Sequence, residues 1–513
     1  MSVTADQLVV IDDAALTVAD VVRIADGARV ELGPAAVERI RASRAVVDRL
    51  VNGEALIYGL NTGLGHMRNE RLPISTLEQM QVFTVRTHAG GIGEPLAARV
   101  VRAAMATRLA GIARGGSGAS PAIAETYAAM LNAGVHPRVP TAGSIGASDL
   151  MHMAAIALVA MGEGEAELDG TVLAGGEALA RAGIPPVRLA PKDGLTVVSA
   201  NGVAIGHAAI AIDRATRLAD VADLVVALSL EAVRGNPSVV DQAVATAKPV
   251  PGQAVAAGRI REFIDGSRLC TSAPVSVQDP LSFRVAPQVH GAFREVVQFA
   301  RAAVDGELAA MDDNPLVELG SGRMISNGNF HPMLLALAID AVRPALTHVA
   351  QLSDRRTGHM WDRLVADPEL LAPGVLERVS RAGSLLVRYA GAARVAELRT
   401  VAGPATLDVP PVDLGVEDHA TNAPLAVRRT DDALGLAEDV LTVELLTATA
   451  SLGWGEELRG QMAERTGAAF DQVVETLSGL GPGASADRIH VAVRDLIAGP
   501  LLAPRTTGRS GEG

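Results

Sequence analysis

The sequence predicts an all-α protein, with a loop-rich N-terminal part and a long central helical bundle. Of its 513 residues, 49 % are hydrophobic but only 2 % are aromatic. The apolar mass is mostly Ala, Val and Leu, and Ala and Leu are strong helix formers. Apolar residues also recur at three- and four-residue spacing through most of the chain, the mark of helices with one buried face. Glycines and loop signals gather in the first 200 residues. The expected organisation is therefore a loop-rich region over 1–200, a long-helix bundle over 201–503 and a flexible tail over 504–513, with no internal repeat or low-complexity linker.

Taken in order, Pro34 suits the first position of a helix, and Val37, Ile40, Val47 and Val51 then line one face. Ser75-Thr76-Leu77-Glu78 has the capping-box pattern for another helix start. From near Arg284, Val285, Val289, Val296, Ala300, Val304 and Leu308 form a stripe long enough for about seven turns. Similar runs cover 201–232, 332–365, 374–402 and 428–480. Helices of this length joined by Gly/Pro loops point to one bundle.

Composition excludes several function classes. The formal net charge is −13 and no run of Lys or Arg stands out, so no nucleic-acid or anionic-membrane partner is expected. The N-terminal residues lack the regions of a secretory signal. The longest apolar stretch read from the sequence, Leu150 to Gly162, holds His152 and is too short to span a bilayer. One cysteine, Cys270, leaves no internal disulfide framework, and its expected place is the core. A soluble cytoplasmic protein fits all of this. No zinc-type His or Cys spacing occurs, and Arg114-Gly115-Gly116-Ser117-Gly118 lacks the Lys of a phosphate loop. Ala142-Gly143-Ser144-Ile145-Gly146 approximates a hydrolase nucleophile elbow, but Pro137 and Pro140 precede it where a central strand is required.

Two segments carry most of the chemistry. Tyr58-Gly59-Leu60-Asn61-Thr62-Gly63-Leu64-Gly65 holds three glycines in eight residues, which implies a tightly folded loop. A tyrosine held there can accept a proton if its neighbours depress its pKa. Residues 143–154, Gly-Ser-Ile-Gly-Ala-Ser-Asp-Leu-Met-His-Met-Ala, form the second.

Together these resemble the histidine/phenylalanine/tyrosine ammonia-lyase and aminomutase family, whose loops read Y-G-x-N-T-G-F-G and G-S-x-G-A-S-G-D-L. Further matches follow in order: Thr87-His88-Ala89-Gly90-Gly91-Ile92-Gly93-Glu94-Pro95, Ser199-Ala200-Asn201-Gly202, Gln278-Asp279-Pro280-Leu281-Ser282-Phe283-Arg284 through Gln288, Asn327-Gly328-Asn329-Phe330-His331, and Val416-Glu417-Asp418-His419. The resemblance runs from about residue 20 to 500. It implies a helical homotetramer whose sites combine loops from three chains, acting on a small amino-acid-like substrate. It implies Tyr58 as the base, Glu417 at the substrate amine, and His88 at the substrate side chain. Asn201 is implied at the amine or cofactor, Arg284 (with Gln288 nearby) at the carboxylate, and Phe330 beside the cofactor. Planar Arg suits a carboxylate.

In the family Ala-Ser-Gly condenses into a methylidene-imidazolone (MIO) ring, an electrophile that helps expel ammonia. Here Ala147-Ser148-Asp149 lacks the Gly, and Leu281 stands where the family has a Tyr. Ring closure compresses the backbone in a way Gly tolerates best, and a non-Gly residue there costs roughly 1–3 kcal/mol. Two readings of the turn stand, a ring made from Ala147, Ser148 and Asp149, or an unmodified turn. They give three functions: a carbon–nitrogen lyase or aminomutase with the ring, a ring-less enzyme using Tyr58 for another elimination, addition or isomerisation, and a catalytically silent homologue. The fumarase/aspartase group, also helical lyases, needs a G-S-x-M-P-x-K-x-N loop that this chain lacks.

Overall fold

The computed structural model describes residues 8–271, 274–366, 380, 386–407, 409–453, 456–481 and 483–502. The expected tail at 504–513 and most of 374–385 lie outside the described residues. The described chain is mostly helical with a few short strands, as expected. Its close contacts divide it into two compact units that interleave along the sequence. Unit 1 comprises Met1–Asp213, Ala300–Asp340 and Pro404–Arg429, and unit 2 comprises Arg214–Phe299, Ala341–Gly403 and Thr430–Gly513. The consecutive regions expected from sequence therefore differ from these units, because the longest helices contribute residues to both.

In unit 1, the helix Pro34–Leu50 opens on its proline as expected. The capping box lies elsewhere than predicted. Thr76 makes no side-chain cap at the start of Leu77–His88, because a 3₁₀ turn over Ile74–Thr76 sends its hydroxyl back to the Pro73 carbonyl. The reciprocal pair is instead Thr17 and Asp20, at the head of Val18–Ala25. His136–Pro137 and Pro140–Ala142 are strands of only two and three residues. Each sits at the edge of its sheet, where a missing N–H is tolerated. Beyond them comes the short helix Leu150–Ala160, followed later by Gly202–Val233, of 32 residues.

That long helix corrects one expectation. Among the described residues two helical spans, Asp193–Val233 and Met333–Ala366, are long and apolar enough to cross a membrane; the most apolar window of the first has mean hydropathy 1.7 and is 100 % buried in protein. Both are longer than the apolar stretch Leu150–Gly162 read from the sequence. The packing rests on small side chains: Ala204, Ala208, Ala209, Ala211 and Ala215 are all fully buried along Gly202–Val233.

Unit 2 begins along Gly202–Val233 and continues through a one-turn helix, Leu281–Arg284, into Ala286–Leu308. The run read over 428–480 is three helices, Ala423–Leu452, the one-turn Glu456–Arg459 and Glu464–Gly479. Gly453, at φ 73°, ends the first. Cys270 is buried as expected, and burial pushes its thiol up to about 12. The centre of unit 2 holds a fully buried ion pair. Arg356 donates from Nε and Nη2 to the two carboxylate oxygens of Glu444 at 2.5 and 2.9 Å, and Ser229 Oγ donates to Glu444 at 2.7 Å.

Removing one member of such a pair strands the other charge in the interior. Glu444→Ala is expected to destabilise the chain by about 3–5 kcal/mol in denaturant unfolding. A loss below about 1 kcal/mol, the scale of an exposed pair, would mean the pair is hydrated in solution.

Candidate active site

The Tyr58 loop is held by its own polar side chains. Asn61 is buried, accepts from the Ile57 amide at 2.8 Å and donates to the Ala55 carbonyl at 2.9 Å. Gly59 donates to Thr62 Oγ1 at 3.2 Å and takes φ +66°, and a Cβ there would lie 2.2 Å from Leu195. Only glycine fits that approach. Tyr58 thereby faces a cavity of about 900 Å³ whose whole lining belongs to unit 1. Its walls include Tyr58, His88, Ala147, Ser148, Ser199, Phe330, Asp413 and Glu417. Residues spread across most of the chain thus meet in one place.

A second loop, in contact with the first, completes this part of the wall. Val412 and Glu417 exchange backbone hydrogen bonds at 2.9 and 3.3 Å across a turn in which Asp413, Leu414 and Gly415 take φ of 50°, 55° and 80°. Left-handed Asp and Leu carry strain, which the surrounding structure must hold in place. His66 does part of that, donating from Nδ1 to Asp413 Oδ1 at 2.8 Å. Gly65 lets the two loops touch, since a Cβ there would fall 2.0 Å from Asp413 Oδ2. The same glycine's amide donates to the Tyr58 hydroxyl at 3.3 Å.

The electrostatics reverse one expectation. Burial chiefly pushes the Tyr58 phenol up, and the carboxylates of Glu417 and Asp413 push the same way, while the Gly65 amide and Arg68 oppose them. Tyr58 in the free chain is therefore a stronger but scarcer base than the sequence implied. Burial also raises Glu417, aided by Asp413 and opposed by His88. His88 donates from Nδ1 to the Thr84 carbonyl at 2.7 Å. That fixes its tautomer and leaves Nε2 as the ring's acceptor.

The floor is the Ala147-Ser148-Asp149 turn. Ser148 takes φ 62°, donates its amide to the Phe330 carbonyl at 3.2 Å, and shares a 3.2 Å hydrogen bond between hydroxyls with Ser199. Asp149 is fully buried beneath it and outside the cavity lining. Its amide donates to the Ala200 carbonyl at 2.7 Å, and its Oδ2 accepts from the Ala204 amide at 2.7 Å. The Val203 amide also holds the carboxylate, whereas Oδ1 has no partner among the described residues. Burial pushes this carboxyl up to about 7, against those amides.

Three sequence-predicted residues sit elsewhere. Asn201 is fully buried behind the floor, where its Nδ2 donates to the Phe330 carbonyl at 2.9 Å. In this chain it braces the wall and does not line the cavity. Arg284 and Gln288 lie in unit 2, and Arg284 ends a one-turn helix where a helix start was expected. Sequence reasoning missed Ser199, His66 and Asp413. Ser199 opened a quoted motif, but the pairing of His66 with Asp413 spans 347 positions and left no local pattern. Among the described residues no cluster of three or more metal-ligating side chains occurs.

Comparison with known proteins gives a consistent picture. The family described as aromatic amino acid lyase matches residues 16–475. Histidine ammonia-lyase of Gloeobacter violaceus is 38 % identical over 487 residues, covering 94 % of this chain and 93 % of that one. Among solved structures, ergothionase, an ergothioneine-degrading enzyme of Treponema denticola, superposes with TM-score 0.87 at 26 % identity, covering 97 % and 100 % of the two chains. Tyrosine aminomutase of Streptomyces globisporus gives 0.87 at 28 %, covering 97 % and 98 %.

The charge arrangement can be tested on the phenol itself. Asp413→Asn keeps an oxygen for His66 to donate to and removes a charge that raises Tyr58. Ultraviolet titration of the phenolate is expected to show the Tyr58 midpoint, identified by its loss in Tyr58→Phe, falling by a fraction of a unit. An unchanged or raised midpoint would place the Asp413 charge too far from the phenol to matter.

Proposed function

The chain belongs to the aromatic amino acid lyase family, and on that premise we propose that the unit 1 cavity eliminates an amine from a histidine-like α-amino acid. The chain is an enzyme of the ammonia-lyase and aminomutase group. The observation that carries the finer reading is the convergence of Tyr58, His88, Glu417 and Ser148 on one cavity. A β-hydrogen is barely acidic, so its removal needs a base stronger than a carboxylate, and a phenolate is one. Tyr58 takes that proton, the C–H electron pair goes into the new double bond, and the C–N pair departs on nitrogen. Glu417 accepts hydrogen bonds from the substrate amine or side chain. The Nε2 of His88 is suited to an imidazole N–H. The relatives named histidine ammonia-lyase favour histidine over the other amino acids that the family takes.

Arg284 keeps its proposed role as the carboxylate anchor. Since the cavity is lined by unit 1 alone, we assign that role to Arg284 of a neighbouring copy in a homotetramer. An aminomutase would share the elimination and then return the amine to the β-carbon.

The family is known for the MIO electrophile, which its members form from their own chain. The residues present do not fit it. Closure turns the residue-149 nitrogen onto the Ala147 carbonyl and strips the hydrogens from both the Ser148 and Asp149 amides. Here those amides are committed to the Phe330 and Ala200 carbonyls, and the Asp149 side chain is pinned in a fully buried slot by the Val203 and Ala204 amides. No step is therefore routed through the ring.

The purified chain is expected to release an amine and a conjugated acrylate from L-histidine, read as ultraviolet absorbance. Because Tyr58 is raised and acts only when deprotonated, kcat/KM should climb as pH rises above neutral. Tyr58→Phe should lower kcat by about 10²–10⁴-fold at unchanged melting temperature. Undiminished turnover in that variant, or no amine released from any amino acid, would refute the assignment.

A further inference from the structure

We propose that His66 and His331 are positioning residues for Glu417, each fastening one end of the segment that carries it, so that this segment lies as a strap along the cavity wall. The functional half rests on the lyase reading of this cavity, in which Glu417 meets the substrate.

The Glu417 carboxylate depends on its backbone for its place. Among the described residues no side chain or amide hydrogen-bonds that carboxylate. Its backbone belongs to a stretch suspended between two fixed points. Upstream, the Ala405 and Thr406 amides donate to Asp340 Oδ2 at 2.9 and 3.1 Å, and Thr406 Oγ1 donates to the same oxygen at 2.7 Å. Downstream, Thr421 Oγ1 and the Asn422 amide donate to the Gly146 and Ile145 carbonyls, each at 2.8 Å. Between these points the backbone bonds joining Val412 and Glu417 tie the turn only to itself.

Two side-chain hydrogen bonds join the suspended stretch to the rest of unit 1. His66 Nδ1 donates to Asp413 Oδ1 at 2.8 Å. At the other end His419 Nδ1 lies 3.0 Å from His331 Nε2, and the ring centroids are 5.0 Å apart. One nitrogen of that pair donates and the other accepts, so at least one of them carries no proton. Burial first, and the His419 ring second, push His331 below the usual histidine range, which suits such a pairing.

The two fasteners sit beside the two things Glu417 must be placed against. His66 follows Gly65, whose amide meets the Tyr58 hydroxyl. His331 follows Phe330, whose carbonyl accepts from the Ser148 amide and from Asn201. Glu417 is thereby held against the loop of the base at one end and against the floor at the other. Ordering a stretch of chain costs conformational entropy, and a hydrogen bond that offsets it shifts the population of the working geometry by roughly three- to tenfold.

The test follows the full chain by amide hydrogen exchange and by turnover of L-histidine. His66→Ala and His331→Ala each remove one fastener, whereas His66→Asn and His331→Gln keep a hydrogen-bonding atom near the lost ring nitrogen. Each Ala variant is expected to speed exchange in peptides covering 412–419 by roughly three- to tenfold, with peptides of the helix Gly202–Val233 unchanged. KM should rise by a similar factor while kcat changes less, and the Asn and Gln variants should restore both readouts towards the parent chain. Exchange over 412–419 unchanged in both Ala variants would overturn the strap. Faster exchange with KM unaltered, or Asn and Gln variants no better than Ala, would overturn the positioning role. A parent chain that turns over no amino acid would sink the lyase reading, and the exchange pattern would then uphold or overturn the strap by itself.

Discussion

The grip on Asp149 is the constraint from which the rest of the site follows. One residue is tied by its amide to the turn before a long helix and by its carboxyl to the first amides of that helix. Ser148 is left in a left-handed conformation on the cavity floor, and the Phe330 carbonyl accepts both its amide and the Asn201 side chain. The floor is consequently rigid, and its chemistry is that of hydroxyl groups. The titratable groups of the cavity, Tyr58, His88, Asp413 and Glu417, stand on its walls.

The walls are arranged for a strong base. Burial, aided by the carboxylates of Glu417 and Asp413, favours the protonated Tyr58 phenol in the free chain. A positive charge brought next to the phenol would work against that balance, since it favours the phenolate. The cost is visible in the backbone, where Asp413 and Leu414 hold left-handed conformations that His66 helps to maintain.

Much of this was legible in the sequence, and the exceptions have physical causes. Tyr58, His88, Ser148, Phe330 and Glu417 were readable because each lies in a short motif dense in Gly or polar residues, where local geometry dictates composition. The helices were readable from their periodicity. The sign of the Tyr58 shift was not, because it depends on burial in the folded chain, reinforced by Glu417 and Asp413, some 350 residues away in sequence and close only in the fold. The role of Asn201 depended equally on distant chain, since its partner is a carbonyl 129 positions on. The pattern at Ser75–Glu78 misled because a 3₁₀ turn took the Thr76 hydroxyl elsewhere. Gly453 divided a run whose apolar spacing alone read as continuous. Arg284 shows the opposite limit, for a motif can name a residue without placing it: Arg284 lies in unit 2, while the cavity is lined by unit 1.

The most direct measurement is turnover of L-histidine before and after the enzyme is treated with borohydride. Hydride adds to an electrophilic methylidene and leaves a serine hydroxyl untouched. The account predicts the same rate in treated and untreated enzyme. Activity abolished by the treatment, and spared when a competing ligand fills the cavity first, would contradict it.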